Sequence, residues 1–161
     1  MPRALLAAVA LSFSAFAPGC GGGPTFDGHH YRDRAAGVAF ALPDAPASWS
    51  RLGLSSGLLA FRDRAASATV LVNGRCGKDG EDVPLAALTA HLFFQITERE
   101  PEEEETVAMD GREALRSVLR AKLDGVPKRF EAVVMKKDGC VYDFVLIADP
   151  DSFSRARLAF E

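Results

Sequence analysis

The chain has 161 residues, a formal net charge of −3 at pH 7, 48% hydrophobic residues and 25% charged residues. This composition is that of one soluble globular domain, and it excludes intrinsic disorder, collagen and a sustained coiled coil. The acidic balance provides no basic surface for neutralising phosphates, so nucleic acid is not an expected partner. No nucleophile elbow, phosphate-binding loop or zinc-ligand spacing is found, and we therefore expect no catalytic, cofactor-binding or metal-binding residues.

Residues 1–19 have the pattern of a secretory signal peptide. Arg3 supplies the positive charge, and Ala4–Phe16 is an apolar stretch interrupted only by two serines. As a helix this stretch would cover about 20 Å, which is short of the ~30 Å hydrocarbon core of a bilayer. The sequence therefore predicts a cleaved leader rather than a permanent membrane span.

The end of this leader offers two cleavage sites. Ala15-Phe16-Ala17 fits ordinary signal peptidase, whereas Ala17-Pro18-Gly19-Cys20 resembles the lipobox of bacterial lipoproteins. Cleavage after Ala17 would place Pro18 directly after the cut bond, where its fixed φ disfavours an extended protease-bound backbone. We therefore favour lipobox processing, with an unlipidated secreted or periplasmic protein as the alternative.

The lipoprotein resemblance implies that Cys20 carries the lipid anchor and becomes the first residue of the mature chain. Gly21, in place of aspartate at the next position, resembles the pattern of lipoproteins that reach the outer membrane and face the periplasm. Residues 20–34 are predicted to form a flexible tether, because Gly21–Gly23 has no side chains to pack. The globular domain is expected over 35–161.

The first half of that domain is predicted to be mostly short strands. One starts at Gly37 and stops at Pro43, and a meander of three follows over Trp49–Leu54, Leu58–Arg62 and Ala68–Asn73. An amphipathic helix is then predicted over Pro84–Glu98, because leucines recur at helical spacing and proline suits the first turn. The glutamates that follow are expected to form a solvated loop.

Asp-Gly occurs at positions 110, 124 and 138, with strand-like sequence on both sides of each pair. Asp-Gly is typical of tight hairpin turns, so four consecutive antiparallel strands are predicted, although 112–123 also fits helical spacing. Two-residue turns would bring together the apolar pairs Leu119 and Phe130, Leu115 and Val134, Met135 and Tyr142, and Val133 and Phe144. The strand Val141–Ala148 would then be central and covered on both faces.

A final helix is predicted after Asp149-Pro150-Asp151, which supplies a cap. Its apolar residues are Phe153, Leu158 and Phe160.

The order of these elements resembles the PsbP-like proteins over about residues 31–161. The resemblance depends on Gly37-Val38-Ala39-Phe40, Pro43, Trp49, the mid-chain helix, Asp110-Gly111-Arg112-Glu113-Ala114 and Val141-Tyr142-Asp143-Phe144. It implies an α+β fold in which helices pack on both faces of an antiparallel sheet, an α/β/α sandwich. Known members bind large assemblies or a small GTPase, so the resemblance implies binding rather than catalysis.

Two cysteines remain once Cys20 is assigned to lipid. Cys76 lies at the end of a predicted strand and Cys140 just after a turn. In an oxidising compartment an even pair favours a disulfide, with two buried thiols as the alternative.

Histidines and acidic residues supply the remaining candidates for a metal or catalytic site. Asp27, His29 and His30 contain metal-ligating groups, but adjacent histidines on an extended chain point to opposite sides. His91 is expected to be a partly buried packing residue at the edge of the helix stripe. The run Glu102–Glu105 lacks the alternating ligands and turn glycine of a calcium loop.

Four basic residues lie on the same face of one predicted strand: Arg112, Arg116, Arg120 and Lys122. They are suited to an acidic partner or to anionic headgroups, but internal compensation by the acidic run is the favoured interpretation.

Asp143 interrupts an otherwise apolar strand. A buried carboxylate must be paired, and the assumed register offers Lys136 diagonally across, so a structural ion pair or exposure at the strand end is favoured over a catalytic acid.

These patterns favour a non-enzymatic lipoprotein anchored to the membrane through Cys20, whose domain binds a protein partner in an envelope assembly. The first alternative is an envelope hydrolase that uses His91 or Asp143. The second is a carrier for an apolar ligand, with a cavity between sheet and helix lined by residues such as Leu92, Phe93 and Phe144.

Overall fold

The computed structural model describes residues 23–42, 44–54, 59–77 and 82–160. The predicted signal peptide, the predicted lipidation site Cys20 and its neighbour Gly21 lie outside the described residues. Within them, one three-stranded sheet has the order β1-β2-β3, and one seven-stranded sheet has the order β4-β5-β6-β10-β9-β8-β7. No helix in these described ranges has the length and apolar character needed to cross a membrane.

The elements follow one another along the chain as ten strands and two helices within the described ranges. Their bounds are β1 Thr25–Phe26, β2 His30–Asp33, β3 Val38–Ala41, β4 Trp49–Leu52, β5 Leu59–Asp63, β6 Ala68–Cys76, α1 Leu85–Leu92, β7 Thr97–Met109, β8 Arg112–Leu123, β9 Val126–Lys137, β10 Cys140–Ala148 and α2 Phe153–Arg157. The α+β class expected from the sequence is confirmed.

The three Asp-Gly pairs form the tight turns between β7, β8, β9 and β10. Both residues of each pair have positive φ, for example 51° at Asp124 and 80° at Gly125, as type I′ hairpin turns require. The strands pair in the predicted register, with all four predicted apolar pairs directly opposite one another. The strand assignment of 112–123 is also confirmed.

Three expectations about the secondary structure were wrong. Residues 25–33 of the predicted tether form β1 and β2, which pair with each other and with β3. The predicted helix over Pro84–Glu98 ends at Leu92. The acidic run Glu102–Glu105 is part of the 13-residue strand β7 and not a loop.

Side chains at odd and even positions of β10 lie on opposite faces of the sheet and pack against different elements. The odd-numbered Val141 packs with Leu88 of α1, and Val145 and Ile147 pack in the cluster formed by the turn after α1. The even-numbered Tyr142 and Phe144 pack instead against the small sheet β1–β3.

Near the end of β10, Leu146 and Ala148 pack with Phe153 and Ala156 of α2.

The small sheet packs against the large sheet at Gly74 of β6, a position without a side chain. A Cβ on Gly74 would lie 2.6 Å from Val38 Cγ1 and 3.3 Å from the Tyr142 ring. Glycine is therefore required for the close approach of β3 to the large sheet.

The predicted disulfide between Cys76 and Cys140 is confirmed. The two residues are paired across β6 and β10, and their Cα atoms are 4.0 Å apart. The bridge joins the end of β6 to the start of β10 across a sequence separation of 64. It therefore covalently links the first half of the sheet to its C-terminal hairpins.

Replacing both Cys76 and Cys140 with alanine should lower the free energy of unfolding by about 4 kcal/mol, because the unfolded chain regains the entropy of a long open loop. Urea unfolding followed by circular dichroism measures this difference. Wild-type protein unfolded with reductant is the control and should match the double variant. Alkylation of both thiols without reductant would contradict the bridge.

Candidate functional site

A groove lies on the odd-numbered face of the large sheet, next to the end of α1. Helix α1 has only 8 residues, and the chain then turns at 93–95 before β7 begins. The groove has a volume of about 320 Å³. Its apolar lining comes from the helix end, the turn and the sheet, and includes Leu92, Phe93, Ile96, Leu71, Val145 and Ile147.

Asp143 is the charged residue in the groove lining. Its side chain is 2% exposed, and Arg75 Nη1 lies 2.5 Å from its Oδ2. Asn73 Nδ2 donates to the same oxygen at 3.3 Å. The predicted structural ion pair is therefore confirmed, but Arg75 of β6 is the partner rather than Lys136, because β6 pairs with β10 and places Asn73 directly opposite Asp143.

Both of these contacts are made to Oδ2. The other carboxylate oxygen of Asp143, Oδ1, is buried and has no hydrogen-bond partner in the described part of the chain. A buried acceptor without a donor costs about 1–3 kcal/mol, and more when it is charged. The groove thus combines an apolar lining with one strong acceptor whose bonding capacity is unused.

The acid and base of the hydrolase alternative are not brought together. His91 is exposed on α1 and not partly buried as expected, and it does not line the groove. Asp143 is buried and held by Arg75. In the described residues we find no hydrogen bond or ion pair between His91 and Asp143.

The residues of the apolar-carrier alternative are divided between two sites. Leu92 and Phe93 line the groove, whereas Phe144 lies on the other side of β10. Phe144 lines a smaller pocket of about 130 Å³ with Trp49 and Phe160. The wrong grouping follows from the period of a strand, since Phe144 and its neighbours Asp143 and Val145 point to opposite faces.

Asp27, His29 and His30 lie close together, but their polar groups already form hydrogen bonds or ion pairs within the protein. The backbone N–H groups of His30 and His29 donate to Asp27 Oδ1 and lower the pKa of this carboxyl from 3.8 to about 2. His30 Nδ1 is 3.3 Å from Asp27 Oδ2, and His29 Nε2 is 3.4 Å from Asp44 Oδ1. Over the described ranges, no group of three His, Cys, Asp or Glu side chains is placed to hold a metal ion.

The expected internal compensation of the basic residues on β8 is confirmed for three of them. Each of three pairs joins one glutamate of β7 to one basic residue of β8, at 2.6 Å, 2.7 Å and 2.7 Å: Glu105 with Arg116, Glu102 with Arg120, and Glu98 with Lys122. Arg112 instead lies 3.8 Å from Asp138. Strand β7 therefore compensates three of the four basic residues of β8.

Sequence reasoning missed Glu131, the most enclosed charge of this network. Its side chain is 1% exposed, with Arg116 Nε 2.5 Å from Oε1 and Arg157 Nε 3.0 Å from Oε2. Burial opposes the charge on Arg116, but hydrogen bonds to Glu131 and Glu105 outweigh burial and raise the pKa of its guanidinium. The signal that could have found Glu131 is a glutamate next to the apolar run Ala132–Met135, opposite Val118 in the predicted register.

Comparison with solved structures identifies the class of fold. The structure is similar to cyanobacterial PsbP (CyanoP) from Synechocystis sp. PCC 6803, with a TM-score of 0.57, 17% identity, and coverage of 89% of this chain and 94% of that one. It is also similar to LpqN of Mycobacterium tuberculosis, with a TM-score of 0.51, 15% identity, and coverage of 71% and 74%. No protein-family sequence model and no curated protein sequence matches the chain. The chain therefore has a PsbP-like fold, and at these identities the likeness shows the fold alone.

Glu131→Gln should lower the free energy of unfolding by about 3 kcal/mol, because Arg116 and Arg157 would lose the buried charge that compensates them. Glu105→Gln is the matched control, since Glu105 also pairs with Arg116 but its side chain is 53% exposed. It should cost less than about 1 kcal/mol. Urea unfolding of both variants measures the difference, and equal losses would show that burial of Glu131 is energetically unimportant.

Proposed function

We propose that the chain is a non-enzymatic binding module of the cell envelope, attached to a membrane through lipidated Cys20, which holds an apolar-chained ligand in the groove beside α1. The observation that carries the binding role is the groove itself. Its volume of about 320 Å³ falls at the lower end of the range for small-molecule sites. Its lining of mostly apolar side chains with few polar groups is also typical of such sites.

Three observations support an extracytoplasmic location. The leader over 1–19 ends in a lipobox-like sequence before Cys20. The Cys76–Cys140 disulfide is of the kind that persists in oxidising compartments. LpqN, which shares the fold, is described as involved in cell envelope biogenesis. We place the domain on the periplasmic side of the outer membrane, since Gly21 rather than aspartate follows Cys20.

A protein partner in an envelope assembly is the second candidate, and Phe94 favours it. This side chain is 80% exposed, between the groove residues Phe93 and Gln95. A partner covering the groove would also bury Phe94.

Cys20 should be acylated in cells. An alkyne fatty acid should label the wild-type protein and the Cys76→Ala/Cys140→Ala variant, but not Cys20→Ala, and globomycin should block processing. In-gel fluorescence after click coupling and mass spectrometry of the N-terminus measure these outcomes. An unlabelled mature chain that begins at Pro18 would contradict the anchor.

The purified domain should bind a neutral apolar fluorophore such as N-phenylnaphthylamine. Leu123→Trp should weaken this binding at least about tenfold, because Leu123 lines the groove and a larger ring would fill it. Leu158→Trp is the control, since Leu158 is 77% exposed and lies outside the groove. Fluorescence titration measures the affinities, and native mass spectrometry would identify co-purified lipid.

The ligand role is wrong if the wild type does not bind the fluorophore, or if Leu123→Trp binds as tightly as Leu158→Trp. Co-purification of one protein instead of lipid, lost when Phe94 is replaced by serine, would favour the assembly role.

A further inference from the structure

The head group of the ligand can be inferred from the polar end of the groove, an inference that rests on the proposed function above. Asp143, Val145 and Ile147 are successive residues on one face of β10, and all three line the groove. At the rise of a strand, Asp143 and Ile147 are about 13 Å apart. Along β10 the groove therefore has a polar end at Asp143, beside Asn73, and an apolar end at Ile147.

One atom at the polar end, Oδ1 of Asp143, is available as a hydrogen-bond acceptor. Arg75 and Asn73 both donate to Oδ2 of Asp143, whereas Oδ1 is buried without a partner in the described residues. A ligand that donates a hydrogen bond to Oδ1, directly or through one water, would remove the cost of this unpaired acceptor.

The charge at this end determines which donor fits. Arg75 lies 2.5 Å from Asp143, so the pair is already neutral overall. An anionic head group would lie against the buried carboxylate of Asp143, and a cationic head group would lie near the guanidinium of Arg75, so each would face a like charge. A neutral donor satisfies Oδ1 without adding charge.

We propose that the groove takes an amphiphile with a neutral hydrogen-bond donor in its head group, such as a long-chain alcohol or an acylglycerol. The donor is bound by Oδ1 of Asp143, and the chain lies along Val145 and Ile147. Fatty-acid anions of the same chain length are discriminated against by the same carboxylate.

Competition against N-phenylnaphthylamine tests this assignment with decanol, its methyl ether and decanoate, each below its aggregation concentration. Decanol should bind wild-type protein about tenfold more tightly than the ether, which cannot donate, and more tightly than decanoate. Asp143→Leu should abolish the preference for decanol over the ether. Asn73→Leu is the matched control: it removes a polar groove residue that bonds Oδ2, leaves Oδ1 unchanged and should keep the preference.

Equal binding of decanol and its ether to the wild type would overturn the head-group assignment while leaving the proposed function intact. A preference that survives in Asp143→Leu would also overturn it. If no ligand displaces the fluorophore because the fluorophore itself does not bind, the proposed function fails. Should Asp143→Leu not fold, the wild-type comparison of alcohol, ether and anion still decides the assignment.

Discussion

The register of the three consecutive hairpins is the constraint on which the chemistry of this protein depends. Side chains of a strand alternate between faces, so a slip of one residue would move every side chain of a strand to the other side of the sheet. The Asp-Gly turns prevent such a slip, because both of their residues adopt the positive φ that two-residue hairpin turns need. Asp143 therefore reaches the groove, and Glu131, on the neighbouring strand, reaches the side on which Arg116 and Arg157 lie.

These two buried carboxylates have different environments. Each oxygen of Glu131 has an arginine nitrogen within 3.0 Å, from β8 on one side and α2 on the other. That ion pairing attaches the C-terminal helix to the sheet. Within the described residues, Asp143 has only one of its two oxygens hydrogen-bonded. A half-satisfied carboxylate is unfavourable for the isolated domain, and this cost is the basis of the head-group proposal.

Local signals determined what could be predicted from the sequence. The Asp-Gly turns, the register of β8, β9 and β10 and the start of α1 after Pro84 all depend on residues close together in the chain. The partner of Asp143 was missed because Arg75 is 68 residues away and no local pattern specifies that β6 pairs with β10. The acidic part of β7 was missed because a run of glutamates resembles a solvated loop. At the edge of the sheet, however, such charges and Pro101 protect an exposed strand from pairing with other chains.

The end of α1 lies at the candidate site, and it is also a place where the prediction from the sequence failed. Helical spacing of apolar residues continues to Ile96, and Ile96 is indeed buried, yet the helix ends at Leu92 and the chain turns to enter β7. A helix continued to Glu98 would present Phe93 and Ile96 from one rigid cylinder, whereas the turn presents them from irregular backbone and leaves the groove beside them. The same turn exposes Phe94. Local pattern and structure thus disagree at the candidate site, as they would if the proposed binding role constrains this part of the sequence.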